Sequence, residues 1–182
     1  VAAGSFVVVV FCFLCVPHGP HWHGTGDSAV NCKWRAPGLD PAQIVREFRV
    51  TIHLYRGDLP DGLDLGPVVA IDCETMGLNP HRDRLCVVQM SGGDGNSHIV
   101  QVALGQTEAP NLCRMLEDPA VLKLFHFGRF DIAAMFNTFG ALAAPVYCTK
   151  IASRLVRTYT DRHGLKNLTQ ELIGVDLSKV QQ

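Results

Sequence analysis

Val68-Val-Ala-Ile-Asp-Cys-Glu-Thr75 decides the reading of this chain: an apolar run, Val68 to Ile71, closes on Asp72, Cys73, Glu74 and Thr75. The run reads as a strand. Side chains of an extended strand alternate with period two, so Asp72 and Glu74 project to one face. Turn-forming Gly77, Asn79 and Pro80 follow, which places both acids where a sheet opens to solvent rather than in its core. A third acid, Asp131, ends a similar run about sixty residues later. There, Leu122-Lys-Leu-Phe-His-Phe-Gly-Arg-Phe-Asp131 reads as a short strand, a His, a Gly, and an acid in the first turn of an amphipathic helix continued by Ile132, Ala133, Met135, Phe136 and Phe139. An acid at that place serves packing poorly and serves well as a ligand aimed back across the sheet. Carboxylates so gathered are the oxygen ligands that a hard divalent cation such as Mg2+ takes, and they point to metal-dependent phosphodiester chemistry.

Four blocks, in order, extend this reading. They are Val69-Ala-Ile-Asp-Cys-Glu-Thr-Met-Gly-Leu78, His126-Phe-Gly-Arg-Phe-Asp131, Tyr147-Cys-Thr-Lys-Ile-Ala-Ser-Arg-Leu155, and the segment from His163-Gly-Leu-Lys-Asn-Leu to Asp176-Leu-Ser-Lys179. Together they resemble ribonuclease D, of the DEDD superfamily of 3′-5′ exonucleases, over roughly Val50 to Gln182. The resemblance implies metal ligands at Asp72, Glu74 and Asp131, with Asp72 bridging two Mg2+ or Mn2+ ions and Glu74 holding the water-activating one. In such a two-metal mechanism the ions clamp the scissile phosphate, and 5′-mononucleotides leave the 3′ end of single-stranded RNA or DNA. It further implies that Thr75, Met76 and Leu78 contact the terminal nucleotide; hydrophobic packing of the turn is the competing reading. His126 either bonds near the terminal sugar or caps the strand end. Phe127 and Phe130 read as core rather than as base-stacking platforms.

The family's third motif, a Tyr-x-x-x-Asp in a later helix, supplies the last carboxylate and the tyrosine that orients the attacking water. No Tyr of this sequence has an acid four residues on: the positions after Tyr55, Tyr147 and Tyr159 hold Leu59, Ile151 and His163. The expectation is therefore a domain cut before its C-terminal helices and, as given, inactive. The alternative is a module of the same fold that binds nucleic acid or a protein without cutting.

The sequence has 182 residues, 47% of them hydrophobic, enough for one domain with a real core. A net charge of −1 gives no overall signal for nucleic acid. From Tyr147 onward six basic residues face three acids, which fits a phosphate track or a solvated helix face equally. Arg154 and Arg157, three apart and so on one helix face, are the better candidates for phosphate.

Residues 1–49 read differently. The apolar stretch Val7 to Val16 is too short to span a bilayer. It lacks a basic leader and a small-residue cleavage pattern. Pro17-His-Gly-Pro-His-Trp-His-Gly24 shows no periodicity, and Cys12, Cys15, His18, His21, His23 and Cys32 are spaced too tightly for the usual zinc site. The fold is expected to begin at Val50, with residues 1–49 a disordered extension. Seven cysteines, several in apolar settings, argue against a disulfide-built secreted protein. A cytoplasmic protein is expected, without a membrane segment or a stable protein partner.

From Val50, strands are predicted at Val68–Asp72, Leu85–Met90, His98–Val102, Val121–Phe125 and Val146–Cys148. Helices are predicted at Asn111–Leu116, Arg129–Phe139, Thr149–Arg157 and Lys166–Ile173. Gly92 to Asn96 makes a hairpin turn. This is an α/β fold, a mixed five-stranded sheet flanked by helices. The resemblance makes it ribonuclease H-like, in strand order 3-2-1-4-5.

Overall fold

A computed structural model describes residues 28–35, 45–79, 81–174 and 177. Among the described residues seven strands form one sheet: β1 (Ser28–Arg35), β2 (Val45–Arg56), β3 (Val68–Thr75), β4 (Leu85–Ser91), β5 (Asn96–Gln101), β6 (Leu122–Phe125) and β7 (Val146–Cys148). Their order is β1-β2-β5-β4-β3-β6-β7. The five strands from β3 onward stand as 3-2-1-4-5, with β3 at the centre. β3 is antiparallel to β4 and parallel to β6, and β6 is parallel to β7. The helices are α1 (Pro110–Glu117), α2 (Arg129–Phe139), α3 (Thr149–Val156) and α4 (Leu165–Ile173). The predicted elements from Val68 onward are all present, with α2 and β7 at the predicted bounds.

Local chemistry sets the boundaries. Gly93 and Gly95, at φ of 86° and 92°, supply the left-handed backbone that the β4–β5 turn needs, and Asp94 accepts the Asn96 N–H at 2.9 Å. α1 begins with Pro110, and Ala109 before it offers no capping side chain. Asp58 supplies the cap from far upstream, accepting the N–H groups of Asn111 at 2.8 Å and Leu112 at 2.9 Å. It thereby satisfies two of the donors a helix start leaves open. α2 stops at Gly140, whose left-handed N–H returns to Phe136.

The core lies on one face of the sheet. Val69 and Ile71 of β3, Val88 and Met90 of β4 and Val100 of β5 are buried there with Leu112 and Leu116 of α1 and Ala134 and Met135 of α2. Lys123 is fully buried as well, yet its ammonium donates to the carbonyls of Asp118, Val121 and Ala144, at 2.5–2.8 Å. All three of its protons are so used, which is what makes a buried cation tolerable. Cys73, Cys86, Cys113 and Cys148 are free thiols. No helix among the described residues is long and apolar enough to cross a membrane.

Upstream of Val68 the sheet extends beyond the expected start. β2 runs across Val50, and β1 pairs with it antiparallel, Ser28 opposite Ile52 and Arg35 opposite Val45. The zinc-site residues considered between Cys12 and His23 lie outside the described residues, as does the side chain of Cys32.

The parallel pairing of β2 with β5 involves only Thr51 to Arg56. A chain beginning at Val50 keeps that ladder and, among the described residues, loses the β1–β2 ribbon; two-stranded ribbons are marginal by themselves. Urea unfolding of such a chain should give a stability within about 1 kcal/mol of the full sequence. A larger loss would show that residues before Val50 belong to the folded unit.

Candidate active site

β3 and α2 bring the three acids to one end of the sheet. Asp72 lies opposite Gln89 and Glu74 opposite Val87 of β4, on the same face of β3. A register shift between Glu74 and Thr75 bulges the strand just past the acids, a device that re-aims side chains at strand ends. Asp131 stands in the first turn of α2 and is only 7% exposed. Its Oδ1 accepts the backbone N–H of Cys73 at 2.9 Å, which ties α2 to β3 between the two strand acids. Placing a carboxylate at a helix start is favourable because the axial dipole is positive there.

Crowding of like charges marks the cluster. The Asp72 carboxyl is pushed up to about 8, first by burial and then by the charges of Asp131 and Glu74. Asp131 is raised too, by burial, against the opposing effect of the Cys73 N–H. The Cys73 thiol is driven well above its usual range by burial and the surrounding carboxylates. It stays neutral, as a small apolar residue would. Among the described residues, no three Asp, Glu, His or Cys side chains are gathered so that they could hold a metal ion by themselves.

The other sequence-predicted residues divide. Thr75 is partly buried and its hydroxyl donates to the Gly77 carbonyl at 2.6 Å, closing the turn. Met76 and Leu78 are 70% and 86% exposed, so packing of the turn does not account for either. His126 caps the end of β6. Thr149 Oγ1 lies 2.9 Å from its Nδ1 and donates at 3.1 Å to the Phe125 carbonyl. A hydroxyl has one proton to give, so Nδ1 carries the hydrogen and Nε2 is left as an acceptor. Burial, helped by Lys150, lowers the His126 pKa to about 4 and keeps the ring neutral. Arg154 is exposed in the last turn of α3.

Arg157 requires a correction. α3 ends at Val156, so the helix face that Arg154 and Arg157 were to share does not reach Arg157. The guanidinium is buried. It ion-pairs with Glu171 of α4 and donates to Ser153 Oγ at 3.0 Å and the Arg162 carbonyl at 2.9 Å, so its donors are spent inside the fold. Phe127 is also corrected: it is 45% exposed, at a φ of 70°, with Lys150 Nζ 4.0 Å from its ring centroid. Phe130 is half-buried. Lys150 and Arg129 were missed; each lies in the first turn of a helix, where a cation opposes the dipole. That misplacement is a signal the sequence does contain.

A ribonuclease H-like sheet with a carboxylate cluster at the end of its central strand defines a class of nucleic-acid-processing domain. The 3′-5′ exonuclease family matches residues 59–182. The chain belongs to that family, on its ribonuclease D-like side. It is 36% identical over 121 residues to the ribonuclease D of Acidiphilium cryptum, covering 66% of this chain and 30% of that protein. Among solved structures, Brucella melitensis NrnC bound to pGG is 55% identical with a TM-score of 0.68, covering 73% of this chain and 66% of that one. The same protein with bound Mg2+ is 55% identical, at a TM-score of 0.66 and coverage of 71% and 65%. Escherichia coli RNase D, an exoribonuclease involved in structured RNA processing, is 29% identical with a TM-score of 0.53, covering 63% and 30%. The chain thus spans about 30% of the length of the ribonuclease D relatives.

The charge crowding has a measurable consequence. The folded state holds Asp72 protonated up to about pH 8, whereas the unfolded chain releases that proton near 3.8. Stability therefore falls as pH rises between those values. Asp72→Asn removes the loss. The whole displacement corresponds to about 5–6 kcal/mol, and water access and side-chain rotation reduce it to about 1–3 kcal/mol. Urea unfolding in EDTA should show variant and parent alike at pH 4 and the variant ahead by that amount at pH 8. A gap that does not change with pH would show the carboxyl to be unperturbed.

Proposed function

We propose that this domain hydrolyses phosphodiester bonds at the 3′ end of single-stranded RNA or DNA, one nucleotide at a time, releasing 5′-mononucleotides. The observation that carries the reading is the cluster of Asp72, Glu74 and Asp131 at the end of β3. Its donor chemistry fits Mg2+ or Mn2+: the donors are hard carboxylate oxygens, and burial, with the charges of Asp131 and Glu74 added, raises Asp72. Asp72, Glu74 and Asp131 would hold such ions. Bound there, the ions would activate water and neutralise the leaving oxygen.

The protein's own part is positional. The Cys73 N–H fixes Asp131 against β3. Neutral His126 presents Nε2 as an acceptor for a sugar hydroxyl, its other nitrogen held by Thr149. Met76 and Leu78, exposed beside the acids, offer apolar surface to the terminal base. Arg154 remains available for phosphate. Weak sequence preference follows from a site that addresses phosphate rather than base edges.

A second reading has one observation in its favour. No three acids, as they stand, gather into an ion-holding group among the described residues. A module that binds single strands without cutting would show that feature. A 3′-labelled RNA incubated with Mn2+ separates the two. A form extended to carry the motif should release mononucleotides, and the 182-residue chain should do so at least about a thousandfold more slowly, since parts that act as a unit fail together. Asp131→Asn should abolish release by the extended form. No release by that form would support the binding module; robust release by the shorter chain would show the motif to be dispensable.

A further inference from the structure

We infer that Phe127, flanked by Lys150 and Arg129, is the platform on which a base of the bound single strand stacks. This deepens the nuclease reading and rests on its premise that a nucleic-acid strand enters at the carboxylate cluster. Phe127 is the only residue other than glycine with positive φ among the described residues, at 70°. A left-handed backbone disfavours any side chain with a Cβ, and a strained residue that persists without burial suggests a functional constraint. Phe127 is 45% exposed, so burial does not offset its strain.

Its neighbours hold it in place. The Phe127 N–H donates to Cys148 Sγ at 3.2 Å. Gly128 packs so closely on Phe125 that any Cβ there would collide with that ring. A side chain at 128 is therefore excluded, and the link between β6 and α2 stays tight against Phe125. His126 precedes it and Asp131 follows four residues on, so its backbone lies close to the proposed site.

Charge supplies the second half of the argument. Lys150 Nζ lies 4.0 Å from the ring centroid and the Arg129 guanidinium carbon 5.9 Å. Both cations sit in first turns of helices, at the end where the dipole opposes them. An exposed ring attended by two cations has the composition that single-strand binding uses: an aromatic face for a base and positive charge for the adjoining phosphates. The ring is sequence-tolerant because every base has a π-face.

Fluorescence anisotropy with a 5′-fluorescein hexaribonucleotide tests this, using phosphorothioate linkages to prevent cleavage, millimolar Mg2+ and the 182-residue chain. Phe127→Gly removes the ring and relieves the backbone, so the melting temperature should hold or rise while affinity falls roughly 5- to 150-fold. Phe127→Trp should retain binding. Lys150→Met should weaken it and flatten the salt dependence by about 0.7 in log–log slope. A series with one base deleted at each position locates the contact. At one position the deletion should weaken the parent and leave Phe127→Gly unaffected. Unchanged affinity in Phe127→Gly, or a loss accompanied by a lower melting temperature, overturns the platform and leaves the nuclease reading intact. No binding by the parent overturns both.

Discussion

Asp131 is tied to the backbone of β3 between Asp72 and Glu74, and the rest of the proposed site depends on that. The bond from the Cys73 N–H to Asp131 ties α2 to β3, and it is made between the two strand acids. A buried anionic cluster of this kind is tolerable only if a proton or a cation neutralises it. Without metal the burden falls on Asp72, which takes up a proton. The apolar face of β3 makes the arrangement possible. Val69 and Ile71 anchor the strand in the core on one side, while Asp72 and Glu74 emerge on the other.

Much of this was legible because it is local. The run from Val68 to Thr75 combines an apolar strand with acids at alternate positions, and alternation alone assigns them to a common face. The bounds of α2 follow from Gly128 before it and Gly140 after it, each with a backbone reason to be glycine. What failed to show in the sequence depends on partners far along the chain. β2 was missed because its parallel neighbour β5 begins about forty residues beyond it. Asp58 reads as a loop acid until α1 is seen to end on it.

Arg157 and Phe127 show the same limit at the substrate side. Spacing made Arg157 a partner of Arg154, yet Glu171, fourteen residues later, draws it inward. Composition made Phe127 a core residue, yet its backbone takes a left-handed φ of 70° and its ring is 45% exposed. In each case side-chain type was read correctly and direction was not. Direction is set by backbone sterics and by long-range pairs, neither of which periodicity encodes. Lys150 and Arg129, at two helix starts, attend the Phe127 ring, and Arg154 and Arg157 share no helix face.

The central claim is that Asp72, Glu74 and Asp131 form one cation site, and direct Mn2+ binding tests it most closely. Free Mn2+ can be followed by its paramagnetic resonance signal as it is titrated into the 182-residue chain. Saturable uptake is expected, with an affinity that weakens as pH falls, because bound metal must displace the Asp72 proton. Uptake should disappear in both Asp72→Asn and Asp131→Asn. Saturable binding that survives both substitutions, or none by the parent chain at pH 8, would contradict it.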